Sequence, residues 1–126
     1  MKQLIRTLVV DDSPVAMMTI CLIVEKSAGL ELVGTASNGR EALERVQTLK
    51  PDLILMDVVM PEIGGMEATV HLRQRFPKVR VIIVSDYDDK EVRGACLDLG
   101  AYGFISKAKL AQELDAEITR LFGAPG

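Results

Sequence analysis

Five polar side chains come directly after apolar segments that have the length of β-strands in this chain of 126 residues. They are three carboxylates, a hydroxyl and an ammonium group: Asp11, Asp12, Asp57, Ser85 and Lys107. If the segments are parallel strands of one sheet, their carboxyl ends meet at one edge and bring these side chains together. Neighbouring carboxylates repel by about 4 kcal/mol per pair at an effective dielectric constant of about 20, so the cluster requires a cation.

The donor types indicate which cation and which chemistry suit the cluster. Carboxylate oxygens without His or Cys favour a hard divalent ion, and Mg²⁺ (or Mn²⁺) is the natural choice. Lys107 adds a positive charge, and Ser85 can donate to a phosphoryl oxygen. A cation and a lysine beside one aspartate suit phosphoryl transfer, which depends on positioning and charge neutralisation. Each residue alone could be an ordinary turn, cap or surface residue, so the prediction depends on the whole set.

The elements that would position these residues alternate between short apolar runs and segments of helical length. The predicted strands are Thr7–Val10, Leu30–Thr35, Leu53–Met56, Val79–Val84 and Gly103–Ile105. The predicted helices are Pro14–Lys26, Gly39–Leu49, Gly65–Arg75, Asp89–Leu99 and Leu110–Phe122. Five βα units in succession predict an α/β fold, a flavodoxin-like (βα)5 doubly wound parallel sheet with strand order 2-1-3-4-5.

Capping residues indicate where several helices begin and end. Ser13 followed by Pro14 predicts an N-cap and a first helical residue. Gly29 and Gly100 stand where the C-caps of the first and fourth helices are expected.

Composition restricts the class of protein. Residues 1–126 fit a single domain, with 48% apolar residues and a net charge of −3. That charge, without clustered Lys and Arg, argues against direct binding of nucleic acid by this domain. The longest apolar stretch, Val15–Val24, is too short to span a membrane, and no signal peptide is recognisable, so we expect a cytoplasmic protein.

The motifs around the polar residues resemble the receiver domain of two-component response regulators over essentially the whole chain. The matching segments are LVVDDSP (8–14), NGREAL (38–43), PDLILMDVVMPEIGGMEA (51–68), VIIVSDYDD (81–89) and GAYGFISK (100–107). The resemblance implies that Asp57 is the phosphoacceptor. It also implies that Asp12 binds Mg²⁺ directly, Asp11 acts mainly through water, and the backbone carbonyl of Val59 is a further metal ligand. Lys107 would pair with the phosphoryl group.

The same resemblance implies a conformational switch and a set of partners. Ser85 would be the switch hydroxyl and Phe104 the switch aromatic, so that phosphorylation changes the surface of the fourth helix, fifth strand and fifth helix. The donor would be a sensor histidine kinase or a histidine phosphotransfer protein, and a homodimer could form on phosphorylation. Such a domain is not a conventional enzyme, although it would catalyse its own Mg²⁺-dependent phosphotransfer and slow dephosphorylation.

Two features leave alternatives open. Asp86 follows Ser85 where the family commonly has a small residue, so its carboxylate could repel the phosphoryl group, slow turnover or point to solvent. Val15, Met18 and Leu22 recur at helical spacing on the first helix and could be core residues or a docking surface for the partner.

Other functions remain as alternatives. The strongest is a receiver-like scaffold for protein–protein interaction that no longer uses phosphate, with Asp86 as the reason. A flavodoxin-type cofactor carrier is disfavoured because an acid pair follows the first strand, where a phosphate-binding loop would be needed. The chain could also be the N-terminal part of a longer regulator with an output domain.

Overall fold

A five-stranded parallel sheet forms the centre of the protein. The computed structural model describes residues 4–60, 63–87 and 89–123. The strands are β1 (Ile5–Val10), β2 (Leu30–Ala36), β3 (Leu53–Met56), β4 (Arg80–Ser85) and β5 (Gly103–Ser106). They lie in the order β2-β1-β3-β4-β5, and each neighbouring pair is parallel. The predicted flavodoxin-like α/β fold with strand order 2-1-3-4-5 is confirmed.

Helices connect the strands and cover the sheet. They are α1 (Pro14–Lys26), α2 (Gly39–Leu49), α3 (Gly65–Arg75), α4 (Lys90–Asp98) and α5 (Leu110–Phe122). The sequence did not predict the short 3-10 helix Lys107–Lys109, which precedes α5. The predicted bounds are confirmed for α1, α2, α3, α5 and β3, and the other strands differ by one or two residues. The fourth helix is shorter than predicted because Asp89 is its N-cap and accepts the backbone N–H of Glu91 at 2.7 Å.

Two hydrophobic cores lie on opposite faces of the sheet, as expected where parallel strands are buried on both sides. The core on one face includes residues of α2, α3 and α4, such as Val46, Leu72 and Cys96. The core on the other face includes Val24 of α1 and Leu114 of α5. Buried on both faces, the strands hold the loops at their carboxyl ends in fixed positions.

Of the two glycines predicted at helix C-termini, Gly100 ends its helix and Gly29 does not. Gly100 has a φ of 112° and directly follows Leu99, the C-cap of α4, so a left-handed backbone does end this helix there. Gly29 is not a C-cap, and that prediction is wrong. The cap of α1 is Ser27, which has an extended backbone and whose N–H donates to the carbonyl of Val24.

One side of α1 is apolar and faces solvent. Ile20 and Val24 are buried against the sheet, which accounts for part of this helix's hydrophobicity. Val15, Met18 and Leu22 are 75%, 65% and 51% exposed, so the interpretation of these three as core residues is wrong. An exposed apolar row of this kind is typical of a binding surface.

Within the residues that the structure describes, none of the helices is both long and apolar enough to cross a membrane.

Candidate functional site

Four strands bring polar residues to one edge of the sheet. In chain order these residues are Asp11, Asp57, Ser85 and Lys107. Backbone hydrogen bonds continue the strand pairing into this edge. The N–H of Asp11 donates to the carbonyl of Ala36 at 3.1 Å, and the N–H of Asp57 donates to that of Val10 at 3.0 Å. The two carboxylates are therefore positioned by the sheet itself.

Asp11, Asp12 and Asp57 form an acidic cluster at this edge. One carboxylate oxygen from each lies within 4.8 Å of the other two. Asp11 and Asp57 are buried, at 2% and 8% exposure, whereas Asp12 is exposed. The predicted convergence of the acid pair with the third carboxylate is present in the structure.

The loop between β1 and α1 orients the two oxygens of Asp11 differently. Oδ1 accepts the backbone N–H of Ser13 at 2.9 Å. Ser13 is the N-cap of α1, as predicted, and its hydroxyl accepts the N–H of Ala16 at 3.3 Å. Oδ2 is fully shielded, and apart from an ion pair with Lys107 it has no hydrogen-bond partner in the described part of the chain.

Lys107 places its ammonium among carboxylates. Nζ lies 2.8 Å from Oδ2 of Asp11 and 3.6 Å from Oδ2 of Asp57. Burial alone would lower the pKa of this ammonium, but contact with the carboxylates outweighs burial and raises it. The lysine is therefore charged and offers a fixed positive charge beside Asp57.

Asp57 is hard to ionise in this setting. Burial is the main cause, and the charge of Asp11 adds to it, raising the pKa of Asp57 from 3.8 to about 6. Lys107 and the N–H of Val58, which donates to Oδ1 at 2.8 Å, act in the opposite direction. A cluster of carboxylate oxygens, one of them shielded from solvent and one belonging to a carboxyl with a raised pKa, fits a hard divalent cation. Such a cation would relieve the repulsion between the carboxylates.

Ser85 is the last residue of β4, the strand that pairs with β3, and is 1% exposed. Its Oγ accepts the backbone N–H of Tyr87 at 3.0 Å, so the hydroxyl hydrogen is free to be donated elsewhere.

Phe104, on β5, is 4% exposed and belongs to the core that includes α4. The guanidinium of Arg93 lies 4.9 Å from the centre of its ring, and Nη1 of Arg93 is 3.4 Å from the carbonyl oxygen of Phe104. The ring is therefore packed inward, between the sheet and an arginine of α4.

The loop after Asp57 is held against the start of α3. The N–H of Gly65 donates to the carbonyl of Val58 at 2.9 Å. Val59 lies in the same loop with a side chain that is 62% exposed. The role of its backbone carbonyl as a metal ligand stays a prediction.

Replacing Gly65 by Ala is expected to destabilise this loop. A Cβ at this position would lie 2.0 Å from the carbonyl oxygen of Asp57, and backbone cannot move aside cheaply. We expect a loss of about 1–3 kcal/mol in the free energy of unfolding, measured by urea denaturation. Gly94→Ala is the matched control, since nothing lies within 4 Å of a Cβ in that helix, and it should be neutral or stabilising. Equal effects of the two substitutions would contradict the expectation.

Asp86 lies on the solvent side of the cluster, with 74% of its side chain exposed. Its Oδ2 is 3.7 Å from Nζ of Lys107, so the carboxylate does not simply point to solvent. The sequence indicated neither this contact nor the packing of Arg93 on Phe104. The position of Asp86 immediately after a strand end was the one signal that could have suggested the first of them.

The sequence of the chain shows the family to which it belongs. Residues 7–119 match the family described as the response regulator receiver domain. The chain belongs to this family. It is thus the receiver domain of a two-component response regulator, as the motifs indicated.

Individual relatives agree with the receiver fold. The response regulator GacA of Pseudomonas viridiflava is 40% identical over 114 residues, which are 90% of this chain and 53% of that protein. The response regulator domain of Thermotoga maritima CheB superimposes with a TM-score of 0.87 and 32% identity, covering 98% of this chain and 100% of that one. A chain of the CheX–CheY–BeF3–Mg²⁺ complex of Borrelia burgdorferi gives a TM-score of 0.81 and 26% identity, covering 94% of this chain and 89% of that one. The receiver spans about half the length of GacA.

Proposed function

We propose that this receiver is a phosphorylation switch in which Asp57 accepts a phosphoryl group from a sensor histidine kinase or a histidine phosphotransfer protein. One observation carries the proposal. A single carboxylate, Asp57, lies within 4.8 Å of oxygens of an acid pair and 3.6 Å from a lysine ammonium, at the carboxyl edge of the sheet. Phosphoryl transfer to a carboxylate requires positive charge beside the nucleophilic oxygen, which Lys107 supplies on one side and a cation held by the acid pair would supply on the other.

The reaction exchanges one bond to phosphorus for another. A carboxylate oxygen of Asp57 forms the new O–P bond while the P–N bond of the donor's phosphohistidine breaks. The electron pair of that bond stays on the imidazole nitrogen, which takes up a proton from water. In the slow dephosphorylation, the oxygen of a water forms a new bond to phosphorus while the O–P bond to Asp57 breaks. The carboxylate is restored, inorganic phosphate leaves, and the proton of the water passes to phosphate or solvent.

Asp11, Asp12 and Asp57 would hold Mg²⁺ (or Mn²⁺), with the carbonyl of Val59 as a further ligand. The shielded Oδ2 of Asp11 and the raised pKa of Asp57 support this assignment. When bound, the cation supplies charge neutralisation for the phosphoryl oxygens. The related CheX–CheY complex carries both Mg²⁺ and beryllofluoride, which is consistent with such a site.

Lys107 and Ser85 would bind the phosphoryl oxygens that face away from the metal ligands. The ammonium of Lys107, already charged beside Asp57, pairs with a phosphoryl oxygen. The hydroxyl of Ser85 donates to another, and its present bond from the N–H of Tyr87 leaves that hydrogen available. Both groups favour the phosphorylated state, because they interact with charge that only that state has.

The switch would pass from the site to α4 through Phe104. As Ser85 moves toward the phosphoryl group, it vacates space, and the ring of Phe104, which is already packed inward, would shift toward that space. Because Arg93 packs on that ring, shifting the ring breaks a contact made by α4. The surface formed by α4, β5 and α5 would change as a result.

The exposed apolar row of α1 would dock the phosphoryl donor. Val15, Met18 and Leu22 are on the helix that follows the acid pair directly, so a partner bound there is next to Asp57. Apolar side chains that are more than half exposed gain free energy when a partner covers them.

Beryllofluoride, which imitates a phosphoryl group on a carboxylate, tests the metal assignment. We expect the wild type to bind it in the presence of Mg²⁺, as measured by isothermal titration calorimetry. Asp12→Asn should weaken the apparent Mg²⁺ affinity by about tenfold or more, because a carboxylate charge beside the cation is lost. Asp115→Asn, an exposed aspartate on α5, is the control and should leave the affinity unchanged. Equal affinity of the Asp12 variant and the wild type would contradict the assignment.

The second candidate function is a receiver-like scaffold that does not use phosphate. The contact of Asp86 with Lys107 favours it, since Asp86 would compete with a phosphoryl oxygen for that ammonium. Failure of the wild type to bind Mg²⁺ and beryllofluoride would support the scaffold. Size-exclusion chromatography of the same samples would show whether beryllofluoride promotes the homodimer.

A further inference from the structure

Among the described residues, three carboxylates lie within ion-pairing distance of the ammonium of Lys107, and they differ in their exposure to solvent. The distances from Nζ are 2.8 Å to Asp11, 3.6 Å to Asp57 and 3.7 Å to Asp86. The side chains of Asp11 and Asp57 are 0% and 11% exposed, whereas that of Asp86 is 74% exposed. Of these three carboxylates, Asp86 is therefore the one that stands on the open side of the site.

A phosphoryl group bound to Asp57 would need the same ammonium that Asp86 contacts. Both carboxylates are within ion-pairing distance of Nζ, so an anionic donor that approaches Asp57 meets the charge of Asp86 as well. The side chain of Asp86 is exposed and can move into water at little cost. Its charge would thus hinder the donor during approach without blocking the site permanently.

On the basis of the proposed function, we propose that Asp86 is a specificity-determining residue that discriminates against small, free, dianionic phosphoryl donors such as acyl phosphates. A small donor interacts only with the immediate site, so the repulsion from Asp86 reduces its rate directly. A protein donor also gains binding free energy from the apolar row Val15, Met18 and Leu22, and that gain offsets the repulsion. Asp86 would make loading of the receiver depend on a protein partner.

The test compares wild type and Asp86→Asn with two small donors, in the presence of Mg²⁺. Acetyl phosphate is a dianion at neutral pH, and phosphoramidate carries less net negative charge because its nitrogen is protonated. We expect Asp86→Asn to raise the initial rate of labelling by acetyl phosphate about two- to fivefold, the range that corresponds to an exposed ion pair. The gain should be smaller with phosphoramidate, and it should shrink as ionic strength rises. Intact-protein mass spectrometry measures the rates.

An equilibrium measurement and a charge control complete the test. Beryllofluoride binds the carboxylate without transfer of a phosphoryl group, and Asp86→Asn should bind it more tightly than the wild type. Asp98→Asn removes the same charge from an exposed position on α4, so it should leave both rates and affinity unchanged.

The possible outcomes separate this inference from the proposed function. Faster labelling that is greater for acetyl phosphate supports the role of Asp86. Equal rates for wild type and variant, or an equal gain with both donors, would show that the charge of Asp86 does not select donors. Absence of labelling in both proteins would overturn the proposed function, and the role of Asp86 with it.

Discussion

Asp57→Asn is expected to abolish labelling of the receiver by acetyl phosphate or phosphoramidate in the presence of Mg²⁺. The amide has nearly the same shape as the carboxylate, so the loop after β3 should stay in place. It lacks the anionic oxygen that would attack phosphorus, and the rate should fall below detection. Asp11 cannot easily replace it, because that carboxylate is buried and contacts both Ser13 and Lys107. Intact-protein mass spectrometry after incubation with the donor measures the result.

Asp115→Asn serves as the control for this experiment, since that aspartate is exposed on α5 and is none of the residues assigned to the site. It should be labelled as fast as the wild type. Undiminished labelling of Asp57→Asn would rule out Asp57 as the acceptor.

The same substitution is expected to stabilise the protein when no divalent cation is present. At neutral pH the wild type keeps an ionised Asp57 in a buried site beside Asp11, and a neutral amide removes this repulsion. The pKa of Asp57 is raised from 3.8 to about 6, and a change of one in pKa corresponds to about 1.4 kcal/mol. Asp57→Asn should therefore gain free energy of unfolding up to a limit of about 3 kcal/mol.

The pH dependence of this gain has a definite sign. A carboxyl with a raised pKa binds its proton more tightly in the folded protein than in the unfolded chain. Its destabilising effect is absent below about pH 3.8, develops as the pH rises toward 6, and is complete above that value. The stability difference between Asp57→Asn and wild type should follow the same course. Urea denaturation in EDTA at several pH values between 4 and 8 measures it.

Adding Mg²⁺ should reverse the comparison, because the cation neutralises the carboxylates that repel each other in its absence. The wild type should gain more stability from Mg²⁺ than Asp57→Asn, while Asp115→Asn should behave as the wild type. A variant that is less stable than the wild type in EDTA at pH 8 would contradict the raised pKa.

Much of the fold was predictable because it depends on local patterns. Strands buried on both faces require continuous apolar runs such as Leu53–Met56, and these are visible in the sequence. Right-handed crossovers then restrict the order of the strands. Gly29 failed as a predicted cap because an extended residue, Ser27, ends α1 without any need for a glycine.

The composition of the site was predictable for a related reason. Parallel strands place their carboxyl ends on one edge, so residues directly after different strands must meet there. This rule brings Asp11, Asp57, Ser85 and Lys107 together without knowledge of any side-chain conformation.

Other features depend on how side chains pack and could not be predicted. The exposure of Val15, Met18 and Leu22 depends on which face of α1 the sheet covers, and this helix is too uniformly apolar for its sequence to indicate that face. The packing of Arg93 on Phe104 joins residues of two different elements, α4 and β5, whose relative position only the folded chain defines.

Asp57 shows most clearly which properties the sequence determines and which depend on the tertiary structure. Its place at the end of β3, next to an acid pair and a lysine, follows from the strand pattern of the sequence. Its raised pKa, and the contact between Asp86 and Lys107 on the open side of the site, come from burial and from distances of a few ångströms. Burial and distance set the strength of electrostatic interactions, and both are properties of the tertiary structure alone.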